Sequence, residues 1–281
     1  MLFADHAITN VGCGTSDLGG SSDAANGISL QVDVSATLDL DIVASDLREA
    51  MEVLVVFEPR ISGVKAYRVI DNLGFPNRFV VEALGFSGGI WLLWNDSRVK
   101  LEVVANSRHS IAVVIDNGSL FWVRTMVYAN PNPVVMKSLW GYLSALRRCF
   151  KGPWVVMGDF NEIVSSEKKR GGRNCFSKIG FSDWISDNEL IDMGFIGQKF
   201  TWMIKRGICE EIWERLDRAL CSMEWRSLFT KGFIRHLPRN SSDHCPIMLN
   251  LHSSHVPRNP LKPFRFEVMW MKHEDFGELV Q

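Results

Sequence analysis

Trp154-Val-Val-Met-Gly-Asp-Phe-Asn-Glu162 is an apolar run that stops at a glycine and is followed by an acid and an amide. Val and Met bounded by Gly read as a buried strand. The last side chains of such a strand can point into a cleft. Asp159 and Asn161 share one face of an extended chain, because strand side chains alternate, and Phe160 between them points into the core. A carboxylate beside a carboxamide suits metal and phosphate chemistry. The same pattern also makes an ordinary capped turn, so a second element has to decide.

That element is Ser242-Asp-His-Cys-Pro-Ile247, followed by Met248-Leu-Asn-Leu251. Here the polar trio precedes an apolar strand, and taken alone it is also compatible with a plain turn. Together the two motifs are much more specific. They resemble the endonuclease/exonuclease/phosphatase superfamily, the metal-dependent phosphodiesterase fold shared by deoxyribonuclease I and the apurinic/apyrimidinic endonucleases.

The resemblance runs through most of the chain. Val53-Leu-Val-Val-Phe57 followed by Glu58 looks like the family strand that ends in a metal-binding glutamate. Gly88-Gly-Ile-Trp-Leu-Leu-Trp94 looks like the next core strand, and Val127-Tyr-Ala129 like the site of a catalytic tyrosine. Leu190-Ile-Asp192 resembles the position of an acid that orients the catalytic histidine. Phe200-Thr-Trp202 and Trp213-Glu-Arg-Leu-Asp-Arg-Ala-Leu220 resemble two further blocks. The wording of these blocks is closest to endonuclease domains of plant LINE-type (non-LTR) retrotransposon polyproteins. Pro263-Phe-Arg-Phe-Glu-Val-Met-Trp270 resembles the linker toward a reverse transcriptase. That domain is an expected partner in the full-length element and is absent from these residues.

The resemblance implies a set of roles. Glu58 and Asp243 would hold a divalent cation, Mg²⁺ with Mn²⁺ as a substitute; Mg²⁺ takes few protein ligands and keeps several waters. His244 would contact the scissile phosphate or move a proton, with Asp192 or Asp243 holding its ring. Asp159 would position or deprotonate the attacking water, and Asn161 would donate to a phosphate oxygen. The Tyr128 hydroxyl would stabilise developing charge. Arg215 and Asp217 read as a structural pair beneath the site. DNA is the implied substrate and partner.

One departure matters. The family's first strand ends in Trp-Asn-x-Arg-Gly, and no such segment occurs here; Asn10-Val-Gly-Cys-Gly14 echoes it only faintly. Residues 1–44, with their Gly/Ser-rich stretch between Gly12 and Ser29, are expected to form a flexible or atypical arm. From Leu30 to Val43 apolar residues alternate with acids and small polar residues, a pattern compatible with a half-exposed strand but not a fully buried one. On this reading residues 1–44 fail to supply the family's first core strand with an asparagine in the cleft. Two alternatives therefore stand beside the nuclease: a catalytically silent relict of the domain, and a nucleic-acid-binding module using stacking aromatics among the ten Trp.

Composition sets the outer bounds. At 281 residues, with 46% hydrophobic and 22% charged residues, the chain can build one sizeable α/β core. The net charge of −1 shows no global basic field. A local rim such as Lys168-Lys-Arg170 or Arg235 to Arg239 would be enough for a nuclease. The six cysteines have no zinc-type spacing, and irregular cysteines fit a reducing compartment, nuclear or cytoplasmic. No secretory signal and no long apolar span are seen, so neither secretion nor a membrane is expected.

Periodicity predicts strands over 53–57, 67–70, 78–84, 89–95, 100–104, 111–115, 120–128 and 154–158. It predicts helices over 133–149, 177–189, 213–221 and 223–229. Strands alternating with a few helices fit a four-layer α/β sandwich of two mixed sheets flanked by helices, the deoxyribonuclease I-like architecture. The domain is expected over 45–252, with 253–281 as the linker.

Overall fold

A computed structural model describes residues 28–33, 52–84, 88–97, 99–116, 120–172, 180–206, 210–239 and 242–251. They form two six-stranded sheets and a three-stranded ribbon. From edge to edge, sheet one runs β14 (Phe233–His236), β15 (Ile247–Asn250), β1 (Ile28–Asp33), β2 (Val53–Phe57), β4 (Ile90–Trp94) and β3 (Asn77–Val81). Sheet two runs β10 (Ile191–Asp192), β13 (Asp217–Cys221), β8 (Trp154–Asp159), β7 (Phe121–Tyr128), β6 (Ser110–Asp116) and β5 (Lys100–Ser107). The ribbon is β11 (Trp202–Arg206), β12 (Glu210–Glu214) and β9 (Lys169–Arg170). Both large sheets are mixed: β1–β2 and β7–β8 are parallel, their other pairs antiparallel.

The uninterrupted apolar runs are explained by burial on both faces. Along β2, Val53, Val55 and Phe57 enter the core between the sheets, while Leu54 and Val56 pack outward with Ala66 and Ile70 of α1 (Gly63–Asn72). Along β8, Val155 and Met157 enter the same inter-sheet core, while Trp154 and Val156 face α2 (Pro133–Cys149) and α3 (Phe181–Asp187). The short α4 (Met223–Leu228) adds Trp225 to the inter-sheet core, edge-on to Trp122 at 6.0 Å. Helix, sheet, sheet and helix thus stack in four layers, as the sequence leads one to expect.

Local signals account for α2. Pro133 occupies its first turn, the Asn132 side chain accepts the Val134 N–H at 2.9 Å, and Arg147 and Arg148 close it at the negative end of its dipole. Its buried stripe is Met136, Leu139, Trp140, Leu143 and Leu146.

Three expectations are corrected. Residues 67–70 belong to α1, not to a strand: Ala66 and Ile70 are buried at helical spacing while Tyr67 is exposed. Residues 213–221 form strands β12 and β13 instead of a helix. The spacing of Leu216, Ala219 and Leu220 mimics an amphipathic helix, but Leu220 and Ala219 are buried on opposite faces of a central strand. The first core strand is not missing either. Ile28–Asp33 pairs parallel to β2 and antiparallel to β15, in the middle of sheet one. Asn10 and residues 253–281 lie outside the described residues. No helix among the described residues is long and apolar enough to cross a membrane.

Candidate active site

The two sheets present matching ends. Glu58 follows β2, Asp159 closes β8, Tyr128 closes β7, Asp217 opens β13, and His244 lies in the loop before β15. The backbone end of β1 falls there too, Asp33 being in register with Phe57.

Asp159 is the centre of this end. It is 2% exposed and sits directly opposite Asp217 across the β8–β13 pairing. Its carboxylate accepts the Asn161 backbone N–H at 2.8 Å and the Asn161 side-chain Nδ2 at 3.0 Å. The chain therefore leaves the strand in a tight turn, with Asn161 at φ 49°, a conformation asparagine tolerates well. The Nδ2 also donates to Ala129 O at 2.7 Å, so in this arrangement the amide braces Asp159 against β7. Phe160 points away into the aromatic layer with Trp140 and Phe181, as alternation requires. Burial pushes the Asp159 carboxyl up to about 7; His244 opposes that rise, while Asp217 and Glu58 add to it.

Gly158 lets β7 and β8 approach this closely. It has φ 148°, and a Cβ there would lie 1.9 Å from the Val127 carbonyl oxygen. This is a position only glycine fits.

His244 Nδ1 is 2.9 Å from Asp217 Oδ2. The geometry places the Nδ1 proton on the bond to Asp217 and makes Nε2 the basic nitrogen. Asp159, Asp217 and His244 offer ligand atoms that all lie within 4.8 Å of one another. Glu58 stands in the left-handed region at φ 47°, its N–H held by Gly89 O at 3.1 Å and its carboxylate 3.6 Å from Arg60.

The expected support of His244 by Asp192 is corrected. Asp192 lies under the site and binds Arg215 through both oxygens, at 2.7 and 2.9 Å, and Arg218 at 3.4 Å. Burial opposes its ionisation, yet the two guanidiniums hold it down to about 2. Both arginines are fully buried, so their charge requires an acid there. Arg215 thus pairs with Asp192, and Asp217 is released to His244. The sequence pattern hides this role of Asp217, because its segment has a helical spacing but forms strand β13. As the first residue of a strand paired with β8, it had to face Asp159.

Asp243 turns Oδ2 to the Trp202 indole N–H at 3.1 Å, and the two residues expected to hold the cation, Glu58 and Asp243, both lie outside the group of three. Tyr128 is in register with Asp159, and its ring stacks on Phe57 at 6.0 Å at the site end of the inter-sheet core. Of the six expected catalytic positions, then, Asp159, Asn161 and His244 meet directly, Tyr128 and Asp243 flank them, and Asp192 serves the layer beneath.

The donor set fits a divalent cation of the hard, oxygen-seeking kind. Crowded carboxylates with one raised to about 7 are what such a cation would relieve.

A two-sheet α/β sandwich with acids and an imidazole gathered at one end defines a phosphoesterase-type architecture. The chain belongs to the endonuclease/exonuclease/phosphatase family, whose sequence pattern matches residues 34–244. No curated protein matches it. Solved structures share the fold at low identity. The endonuclease domain of TRAS1, a telomere-specific non-LTR retrotransposon, is 16% identical with TM-score 0.59, covering 82% of this chain and 100% of that one. The AP endonuclease LMAP from Leishmania major is 13% identical with TM-score 0.62, covering 81% and 88%. The 3′ phosphatase NExo from Neisseria, bound to a product DNA hairpin, is 15% identical with TM-score 0.56, covering 81% and 100%.

Proposed function

We propose that this chain is a Mg²⁺-dependent endonuclease that nicks DNA, derived from a plant LINE-type retrotransposon. Mn²⁺ is the natural substitute, and a reverse transcriptase is the companion domain in the full element. The observation that carries the reading is the Asp217–His244 pair set against Asp159 at the meeting point of both sheets.

A cation would be held by Glu58 with help from Asp159 and Asp217, and would supply charge neutralisation at the phosphoryl group. The chain's own residues do the rest. Asp159, ionised when it helps to hold the cation, orients the attacking water and accepts its proton. Asn161 fixes the Asp159 carboxylate through two hydrogen bonds. His244 presents Nε2 to the phosphate while Asp217 holds the ring in one tautomer and stabilises it when protonated. Tyr128 and Asp243 shape the wall and the His244 loop. A nuclear or cytoplasmic site of action is the reading that the irregular cysteine spacing supports.

A plasmid-nicking assay tests this. Nicking that needs Mg²⁺ and is lost in His244→Ala supports the enzyme. The second reading, a silent relict, is favoured by one feature: the sequence lacks the Trp-Asn-x-Arg-Gly segment with which the resembled family ends its first strand. Folded protein that binds DNA without nicking it would select that reading or the binding module.

A further inference from the structure

Asp217 and His244 meet across a seam. Asp217 begins a strand of sheet two, and His244 leads into a strand of sheet one. Their 2.9 Å contact therefore depends on how the two sheets are held at this end. Among the described residues no strand pairing joins the two large sheets. Apolar packing between them is non-directional and does not by itself fix their offset to a fraction of an ångström.

The segment Thr201–Met203 spans that seam. On one side Thr201 N–H donates to Glu214 O at 3.0 Å, and Trp202 pairs with Glu214 in the ribbon. The Thr201 Oγ accepts two successive backbone donors, Leu216 N–H at 3.1 Å and Asp217 N–H at 3.0 Å. On the other side Thr201 O accepts Cys245 N–H at 2.7 Å, and Met203 N–H donates to Asp243 O at 3.0 Å. Trp202 also bridges His244. One fully buried threonine thus holds the backbone of Asp217 by its hydroxyl and the neighbour of His244 by its carbonyl.

We infer that Thr201 is a positioning residue of the Asp217–His244 pair, its hydroxyl setting the register of one loop against the other. Its bearing on catalysis rests on the nuclease reading above. A hydroxyl has two lone pairs, so both N–H groups are satisfied by one oxygen, which no apolar side chain of the same shape can do. The backbone donors it holds are among those a β-strand normally pairs along its ladder. At the mouth of β13 the threonine completes that pairing from outside the sheet.

The test compares Thr201→Val with Thr201→Ser in the full chain. Plasmid nicking with Mg²⁺ is measured, and the His244 Nδ1 proton is followed by NMR in metal-free protein, assigned by its loss in His244→Ala. Thr201→Val is expected to lower kcat by about 10- to 100-fold with little change in KM, as misplacement of a reacting group does. Its Nδ1 proton signal should broaden or vanish. Thr201→Ser keeps the oxygen and should restore both. An unaltered kcat and signal in Thr201→Val overturns the inference. So does a serine variant as impaired as the valine one, which would assign the effect to the lost methyl. If the wild type does not nick DNA, the nuclease reading fails, and the NMR comparison alone decides the clamp. If Thr201→Val does not fold, Thr201→Cys replaces it, because sulfur is a weak acceptor of similar size; equal behaviour of the cysteine and serine variants then overturns the inference.

Discussion

Asp217 Oδ2 lies 2.9 Å from His244 Nδ1, while Asp192, an acid that the family resemblance assigns to that ring, is bound to Arg215. The two acids therefore have different jobs. Asp217→Asn is expected to preserve the fold and lower kcat by about 10²- to 10⁴-fold, because an amide cannot stabilise the charged ring and offers it the wrong partner. Steady-state nicking beside a melting curve checks this; a fully active Asp217→Asn would remove Asp217 from the mechanism.

Asp192→Asn should instead act on stability. It leaves two fully buried guanidiniums short of charge, at a cost of about 3 kcal/mol. The sign with pH follows from a carboxyl held down to about 2. Its contribution is present above the unfolded value of about 3.9 and is lost as pH falls toward 2. Urea titrations at pH 7 and pH 3 should show the wild-type advantage over Asp192→Asn shrinking at the lower pH.

Cation binding should be linked to a proton on Asp159. With its carboxyl pushed up to about 7, ligation below that pH must displace a proton. Mg²⁺ at a fixed concentration is therefore expected to raise Tm more at pH 8 than at pH 6. Calorimetry in two buffers of different ionisation enthalpy should show proton release near pH 6. An equal thermal shift at both pH values, with no released proton, would contradict the linkage.

Glu162 offers an opposite case to Asp192. It is 5% exposed, neither carboxylate oxygen has a hydrogen-bond partner among the described residues, and burial pushes it up to about 7 against the pull of Arg218. Between the unfolded value near 4.3 and 7 the folded state holds a proton that the unfolded state has lost, so stability falls as pH rises through that window. Glu162→Gln, which keeps the shape without the charge, should remove a share of that fall on the order of 2 kcal/mol. Denaturation of both proteins at pH 5 and pH 8 reads it directly.

Gly158→Ala is expected to be severe. The added methyl meets the Val127 carbonyl oxygen at 1.9 Å, and the backbone at φ 148° disfavours any side chain. Separating β7 from β8 would cost about 3 kcal/mol or more. Soluble yield and Tm check it; a variant as stable as the wild type would show that the strands have room to part.

Much of this molecule is written in local pattern. Val53–Phe57, Ile90–Trp94 and Trp154–Asp159 are continuous apolar runs because sheets covered on both faces leave no polar side. Pro133 and the spacing from Met136 to Leu146 mark α2 to the residue. That Asp159, Asn161 and His244 lie at one end of the sandwich was legible because each sits at a strand boundary inside a specific motif. Such signals need only the chain's own neighbours.

Tertiary structure decided the remainder. Leu216, Ala219 and Leu220 carry a helical spacing, and only pairing with β8 makes them a strand. Ile28–Asp33 alternates apolar and polar residues, as a half-exposed strand does, and only its pairing with β15 on one side and β2 on the other puts it inside a sheet. The partner of His244 could not be chosen from sequence either, since the motifs offer Asp192 and Asp243 for its ring and leave Asp217 to Arg215. The choice follows from charge and burial: Arg215 and Arg218 lie fully inside and must keep Asp192, so Asp217, facing Asp159 across the strand pair, is the acid left to hold the histidine.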